Sequence, residues 1–206
     1  MKYFFFLAAV TILPVGAATI YSNLADAFDG SLAAEGNQFW ASEFQTTTAA
    51  DLSDVIFNLE ASTGTGALTV KLYTNSGNAP STLVATVGTI SHASLTAGSF
   101  SEITVTPGTT IALTANTQYW IELIGASPSS ADALWEVGST DAGTGVAPEF
   151  HDRVTGGSVD STEANNMFTN TIPEMQVDVQ GSVPEPATFG LLGIALAGLA
   201  VVRRRR

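Results

Sequence analysis

An all-β chain, folded as an antiparallel β-sandwich of jelly-roll type, is the fold class that three observations predict for residues 19 to 182. Apolar and polar residues alternate in short runs, the mark of half-buried strands. Clusters of Gly, Pro, Asn and Ser separate the runs. They recur so often that no long helix fits anywhere before Phe189.

The runs place strands near 19–23, 37–46, 51–60, 67–74, 82–90, 100–106, 109–113, 118–124, 133–138, 149–154 and 174–180. In DVIFNLEA, Val55, Phe57 and Leu59 share one face, and Asn58 and Glu60 the other. GALTVKLYT puts Leu68, Val70 and Leu72 inward and Thr69, Lys71 and Tyr73 outward. QYWIELIG sets Tyr119, Ile121 and Leu123 against Trp120, Glu122 and Ile124, and EMQVDVQ sets Met175, Val177 and Val179 against Gln176 and Asp178. Turns fall at 62–66 (STGTG), 75–80 (NSGNAP), Ala97-Gly98, Pro107-Gly108, Ala115-Asn116, 127–130 and Gly156-Gly157. Asp141 to Asn170, rich in Gly, Asp and Asn, reads as loops with at most two short strands.

Both termini differ from this body. Residues 1–18 read as a secretory signal peptide, helical and removed on export: Lys2 is the positive region, Phe4 to Leu13 the apolar one, and Gly16-Ala17-Ala18 the small-residue site for cleavage between Ala18 and Thr19. The alternative, an N-terminal anchor, needs ~20 apolar residues, more than this run supplies. Residues 183–206 form the other end. There Phe189 to Val202 is an uncharged run of fourteen residues followed by Arg203, Arg204, Arg205 and Arg206. As a helix it would be ~21 Å long at ~1.5 Å per residue. The hydrocarbon core is ~30 Å thick, so the span is short and relies on snorkelling arginines and local thinning. Four arginines stay cytoplasmic under the positive-inside rule, which puts the body across the inner membrane. The signal peptide sends it the same way, through the Sec translocon.

Pro184-Glu185-Pro186 precedes that run. Two prolines fix φ and remove two backbone donors, so the triplet stays extended, a strip that a protease can read or a rigid spacer. The order of triplet, apolar helix and terminal arginines resembles the PEP-CTERM sorting signal of Gram-negative bacteria. That resemblance implies recognition by an exosortase, transient anchoring in the inner membrane, cleavage near the triplet, and delivery to the cell surface or extracellular matrix. A second resemblance lies in the body. LTVKLYTNSGNAPSTLVAT and LTANTQYWIEL are similar to blocks of the choice-of-anchor β-sandwich domains, type R above all, over about residues 37 to 180. It implies a non-enzymatic exported domain.

Composition narrows the partners. Of the 19 acidic residues all but Glu185 lie between 19 and 182, where Lys71 and Arg153 are the only cations, leaving sixteen net negative charges. Such a surface repels nucleic acid. With no cysteine, no disulfide or thiol chemistry is available, and stability must come from packing.

Candidate chemistry is sparse. His92 lies between strands, and His151 sits beside Glu149, Asp152 and Arg153 in a predicted strand. A catalytic role for His151 with Asp152 needs partners that the sequence does not place. No GxSxG elbow, HExxH pair or phosphate loop is present. The only cofactor candidate is a structural calcium ion held by loop oxygens: Asp26, Asp29 and Glu35 at one site, Asp152 to Glu163 with Asp160 at another, neither with EF-hand spacing. Trp40 and Trp120 each adjoin another aromatic on a strand, so at least one of each pair belongs to the core; Trp135 in DALWEV is the candidate for a sugar-stacking face. The expectation is an exported, non-enzymatic structural protein of the surface or of an exopolysaccharide or biofilm matrix. The alternative is a carbohydrate-binding sandwich module.

Overall fold

The computed structural model describes residues 17–36, 38–77, 79–127, 130–138, 144–145, 151–155 and 175–182. All of them fall in one compact unit, Ala17–Val183. The strands are β1 (Ala17–Ser22), β2 (Phe28–Ala34), β3 (Gln38–Thr46), β4 (Ala50–Ala61), β5 (Leu68–Asn75), β6 (Pro80–Ile90), β7 (Ser101–Val105), β8 (Ala112–Leu113), β9 (Thr117–Gly125), β10 (Ala133–Gly138), β11 (Thr144–Gly145), β12 (His151–Thr155) and β13 (Val177–Ser182). A 3₁₀ turn, His92–Ser94, is the one helical element among the described residues.

All named strand pairs are antiparallel and make two sheets. The larger runs β11-β1-β13-β4-β10-β2, with β7 and β8 also on β4; the smaller runs β12-β3-β9-β5-β6. Side chains of both sheets fill one apolar core, as the alternation predicts for a sandwich.

β4 organises the larger sheet. Its twelve residues exceed every neighbour, so it pairs with β13 from Asp51 to Phe57 and, farther along, with β10 from Leu59 to Ala61. β7 and β8 occupy its other side. Val55, Phe57 and Leu59 are fully buried, as their spacing predicts. Trp135 of β10 meets Phe57 edge to face, ring centroids 5.1 Å apart. Its indole Nε1 donates to the Gln176 carbonyl at 2.7 Å, so burial leaves no polar atom unpaired. Truncating Trp135 to alanine would cost about 3–5 kcal/mol.

One strand departs from the sequence expectation. β2 falls where the sequence reading places a carboxylate-rich loop holding Asp26, Asp29 and Glu35, and neither Asp29 nor Gly30 favours strand. It forms as a sheet edge whose register comes from its partner, with Leu32 opposite Trp135 and Ala34 opposite Ala133. Its outward residues are exposed, which is where poor strand formers cost least. β11, two residues long, and β12 agree with the expectation of at most two short strands between Asp141 and Asn170.

β1 begins two residues before the expected cleavage point. Ala17 and Ala18 pair with Ser182 and Gly181 of β13, and both are exposed. Tyr21, two residues past the expected cleavage point, is buried in the core.

Candidate functional site

The outer face of the smaller sheet carries the most unusual side chains. Glu43 of β3 stands opposite Trp120 of β9, which stands opposite Tyr73 of β5. In the next row Ala41 faces Glu122, and Glu122 faces Lys71. Alternation predicts this face to be wet. Instead Glu43, Glu122, Trp120 and Tyr73 are all buried, and Trp120, Tyr73 and Ala41 make a second apolar cluster apart from the main core. The Trp120 Nε1 donates to Asn75 Oδ1 at 3.0 Å, and Asn75 Nδ2 donates to Gln118 Oε1 at 2.6 Å. Burial pushes the Tyr73 hydroxyl well above the ordinary tyrosine range; the Glu122 charge and the hydrogen bond Tyr73 donates to that carboxylate add to the effect. Tyr73 therefore stays a neutral donor at every physiological pH. The cluster binds β3, β9 and β5 together on this face.

A polar network crosses the larger sheet where β4, β10 and β13 meet. Asn58 Nδ2 donates to Glu136 Oε2 and lies 3.3 Å from Gln176 Oε1. Gln176 Nε2 donates to the Asp26 carbonyl at 2.8 Å. Asn23 closes the network, giving its Nδ2 to Met175 O at 3.1 Å and accepting Val177 N at 2.7 Å. Burial raises Glu136 above its ordinary value, and the Asn58 bond opposes that only partly. Asp178, beside it on the same sheet, is raised by burial and by the charge of Glu102, against hydrogen bonds with Ser22 and Gln180.

At one end of the sandwich Asp132, fully buried, shows the reverse. Its Oδ1 accepts Gly66 N at 2.7 Å and Ser127 Oγ at 2.6 Å, and its Oδ2 accepts Ser127 N at 2.8 Å. Burial alone would raise its pKa, but the bonds from Ser127, Gly66 and Ala126 outweigh it and hold Asp132 below the ordinary carboxylate range. Its own backbone N–H reaches Ala34 O at 2.9 Å. One residue thus ties together the end of β2, the β4–β5 loop and the β9–β10 loop.

The residues singled out from sequence fall in different places. Trp135 is wholly inside the core, which removes it as a sugar-stacking face; Trp40 and Trp120 are buried too. The cause is position: Trp135 lies on the core side of β10, opposite Leu32 and Leu59. Asp26 precedes β2 and has one buried carboxylate oxygen without a hydrogen-bond partner, while Asp29 is exposed on the edge strand. Among the described residues no three His, Asp or Glu side chains gather as a metal site. His92 Nε2 lies 3.4 Å from Ser62 O. His151, Asp152 and Arg153 pair in register with Ser42, Ala41 and Trp40. Glu149, Asp160, Glu163, the signal segment before Ala17, Pro184-Glu185-Pro186 and Arg203 to Arg206 lie outside the described residues. No helix among the described residues is long and apolar enough to cross a membrane.

Comparison with known families adds one finding. Residues 182–206 match the PEP-CTERM protein-sorting motif. The match starts at Ser182, the last residue of β13. The motif marks an exported chain that an exosortase recognises, anchored transiently in the membrane before processing. Comparison with curated proteins finds no match.

Proposed function

We propose that the chain is a non-enzymatic structural protein of the cell surface or extracellular matrix, whose β-sandwich is the cargo and whose tail is the address. The motif at 182–206 carries the reading, because it begins where the last strand ends. Cleavage near Pro184-Glu185-Pro186 would leave every described strand of the sandwich intact. The cargo is suited to exposure: sixteen net negative charges between 19 and 182 keep it soluble, and its core needs no disulfide. In this reading the body is a jelly-roll-like sandwich of the choice-of-anchor kind, delivered by the Sec route and embedded in exopolysaccharide or biofilm. The carbohydrate-binding alternative loses its one named platform with the burial of Trp135.

Intact-mass measurement of protein recovered from the cell surface tests this reading. The expected mass lacks residues 1–18 and everything after about Pro186. Surface protein that retains Arg203 to Arg206 would overturn the processing step. A second measurement addresses the absence of chemistry: the fragment 19–182 should unfold in one cooperative β-rich transition and hydrolyse no polysaccharide, ester or peptide. Hydrolysis abolished by changing His151 or Asp152 would make it an enzyme.

A further inference from the structure

We infer that the outer edge of β6 is a strand-addition surface and that its occupant is the β6 edge of a second copy of this chain. β6 closes one side of the five-stranded sheet and pairs only with β5 among the described strands. It is eleven residues long, roughly 36 Å at ~3.3 Å per residue. The outer edge of a strand of that length offers a row of N–H and C=O groups to a further strand, a feature that natural proteins often block with charge.

The other edges of this molecule are blocked in that way or are very short. β2 carries Asp29, β7 carries Glu102, and β12 carries Asp152 and Arg153; β8 and β11 have two residues each. β6 reads PSTLVATVGTI, with no charge. The neutrality extends well beyond the strand, because no Asp, Glu, Lys or Arg occurs between Lys71 and Glu102. In a body with eighteen carboxylates that is a marked gap. Two of the large apolar side chains most exposed among the described residues, Leu83 at 48% and Val84 at 38%, lie on this strand. Thr82 and Thr86 are exposed beside them.

The free part is the first half. Near Gly88 the strand closes against β7, where a Cβ would come within 2.7 Å of Val105 Cγ1. From Thr82 to Thr86 both faces are largely open, and register shifts at Val70/Lys71 and Leu72/Tyr73 bend the β5–β6 pair locally.

Charge selects the partner. A basic protein would be drawn to the acidic faces and would find no counter-charge on β6. A copy of this chain presenting β2 or β7 would set a carboxylate, Asp29 or Glu102, against a strand that offers it no counter-charge. Two β6 edges meet with no charge on either side, and an antiparallel pair is two-fold symmetric, so one surface complements itself and the contact closes. The pair would join two five-stranded sheets into one continuous sheet.

The chain has no cysteine, so single-cysteine variants report the contact in the full chain. Thr82→Cys, Val84→Cys and Thr86→Cys probe β6, and Ser31→Cys on the exposed face of β2 is the control. Directly opposed residues of an antiparallel pair bring Cα atoms to about 4.5–5.5 Å, within disulfide range. Under mild oxidation one β6 position should give a covalent dimer of twice the chain mass, several-fold above the control, with lower yield at its neighbours. Adding Val84→Lys to the best Thr82 or Thr86 reporter should bring the yield down to that of the control. Equal yields at all four positions, a cross-linked product of any mass other than twice the chain, or a dimer unaffected by the lysine would each overturn the proposal.

Discussion

Asp132 and Glu136 are four residues apart in sequence, both are buried carboxylates that burial pushes upward, and yet their pKa values end on opposite sides of the ordinary range. Asp132 sits in a corner of loops where two backbone N–H groups and a hydroxyl converge on it. Glu136 sits in mid-strand, where backbone donors are committed to the ladder and a single amide, Asn58, reaches it. Loops have spare donors and ladders do not. A carboxylate buried at a loop corner is therefore held ionised, whereas one buried on a sheet is pushed towards its neutral form.

The largest expected effect comes from removing the loop carboxylate. Asp132→Ala orphans the Gly66 and Ser127 N–H groups and the Ser127 hydroxyl, and should destabilise the body by about 3–5 kcal/mol in urea unfolding. Asp132→Asn keeps one acceptor oxygen and should lose roughly half as much. An Asp132→Ala variant as stable as the parent would mean that water or neighbouring groups satisfy the corner without it.

Crowding that corner is the next test. A Cβ on Gly66 would lie 2.8 Å from Asp132 Oδ2 and 2.9 Å from Ala126 Cβ. Asp132 is too short and too firmly bonded to move aside, so Gly66→Ala should cost about 1–3 kcal/mol. The double variant with Asp132→Asn should cost less than the sum, since both changes strain the same contact.

Neither carboxylate environment was legible in the sequence, although much of the fold was. Strands with one wet face announce themselves by alternation, and Val55, Phe57 and Leu59 of β4 or Leu68, Val70 and Leu72 of β5 are buried as their spacing predicts. Alternation says nothing about a face that is covered as well. That is why Trp120, Glu122 and Tyr73, which it assigns to solvent, are inside. The segment 62–66 lies between strands as its residues predict, but its joining to Ser127 through Asp132 is a contact between distant loops that no local pattern encodes. β2 was missed for a related reason: its pairing with β10, and not its own residues, makes it a strand. The sorting motif at the tail was legible because such a signal must be read as a linear sequence.

The smallest expected effect has the opposite sign and depends on pH. Glu136→Gln keeps an acceptor for Asn58 and removes a charge that burial disfavours, so it should stabilise the body at neutral pH by roughly 0.5–1 kcal/mol. Because the folded-state pKa of Glu136 is raised above its unfolded value, the parent gains a proton on folding. The stabilisation linked to that proton is complete below the ordinary carboxylate range and is lost as pH rises through the raised folded value. The advantage of Glu136→Gln should therefore be greatest at neutral pH and shrink to nothing as acid protonates Glu136 in the parent. Asp132 works the other way: its folded value is depressed, so its contribution is present above the ordinary carboxylate range and disappears only as pH falls through that lower value. Urea midpoints measured from neutral to acid pH for the parent, Glu136→Gln and Asp132→Asn separate the two. The Glu136→Gln difference should close first on acidification and the Asp132→Asn difference only at lower pH. Closure in the reverse order would show that the donors at the loop corner do not hold their carboxylate ionised.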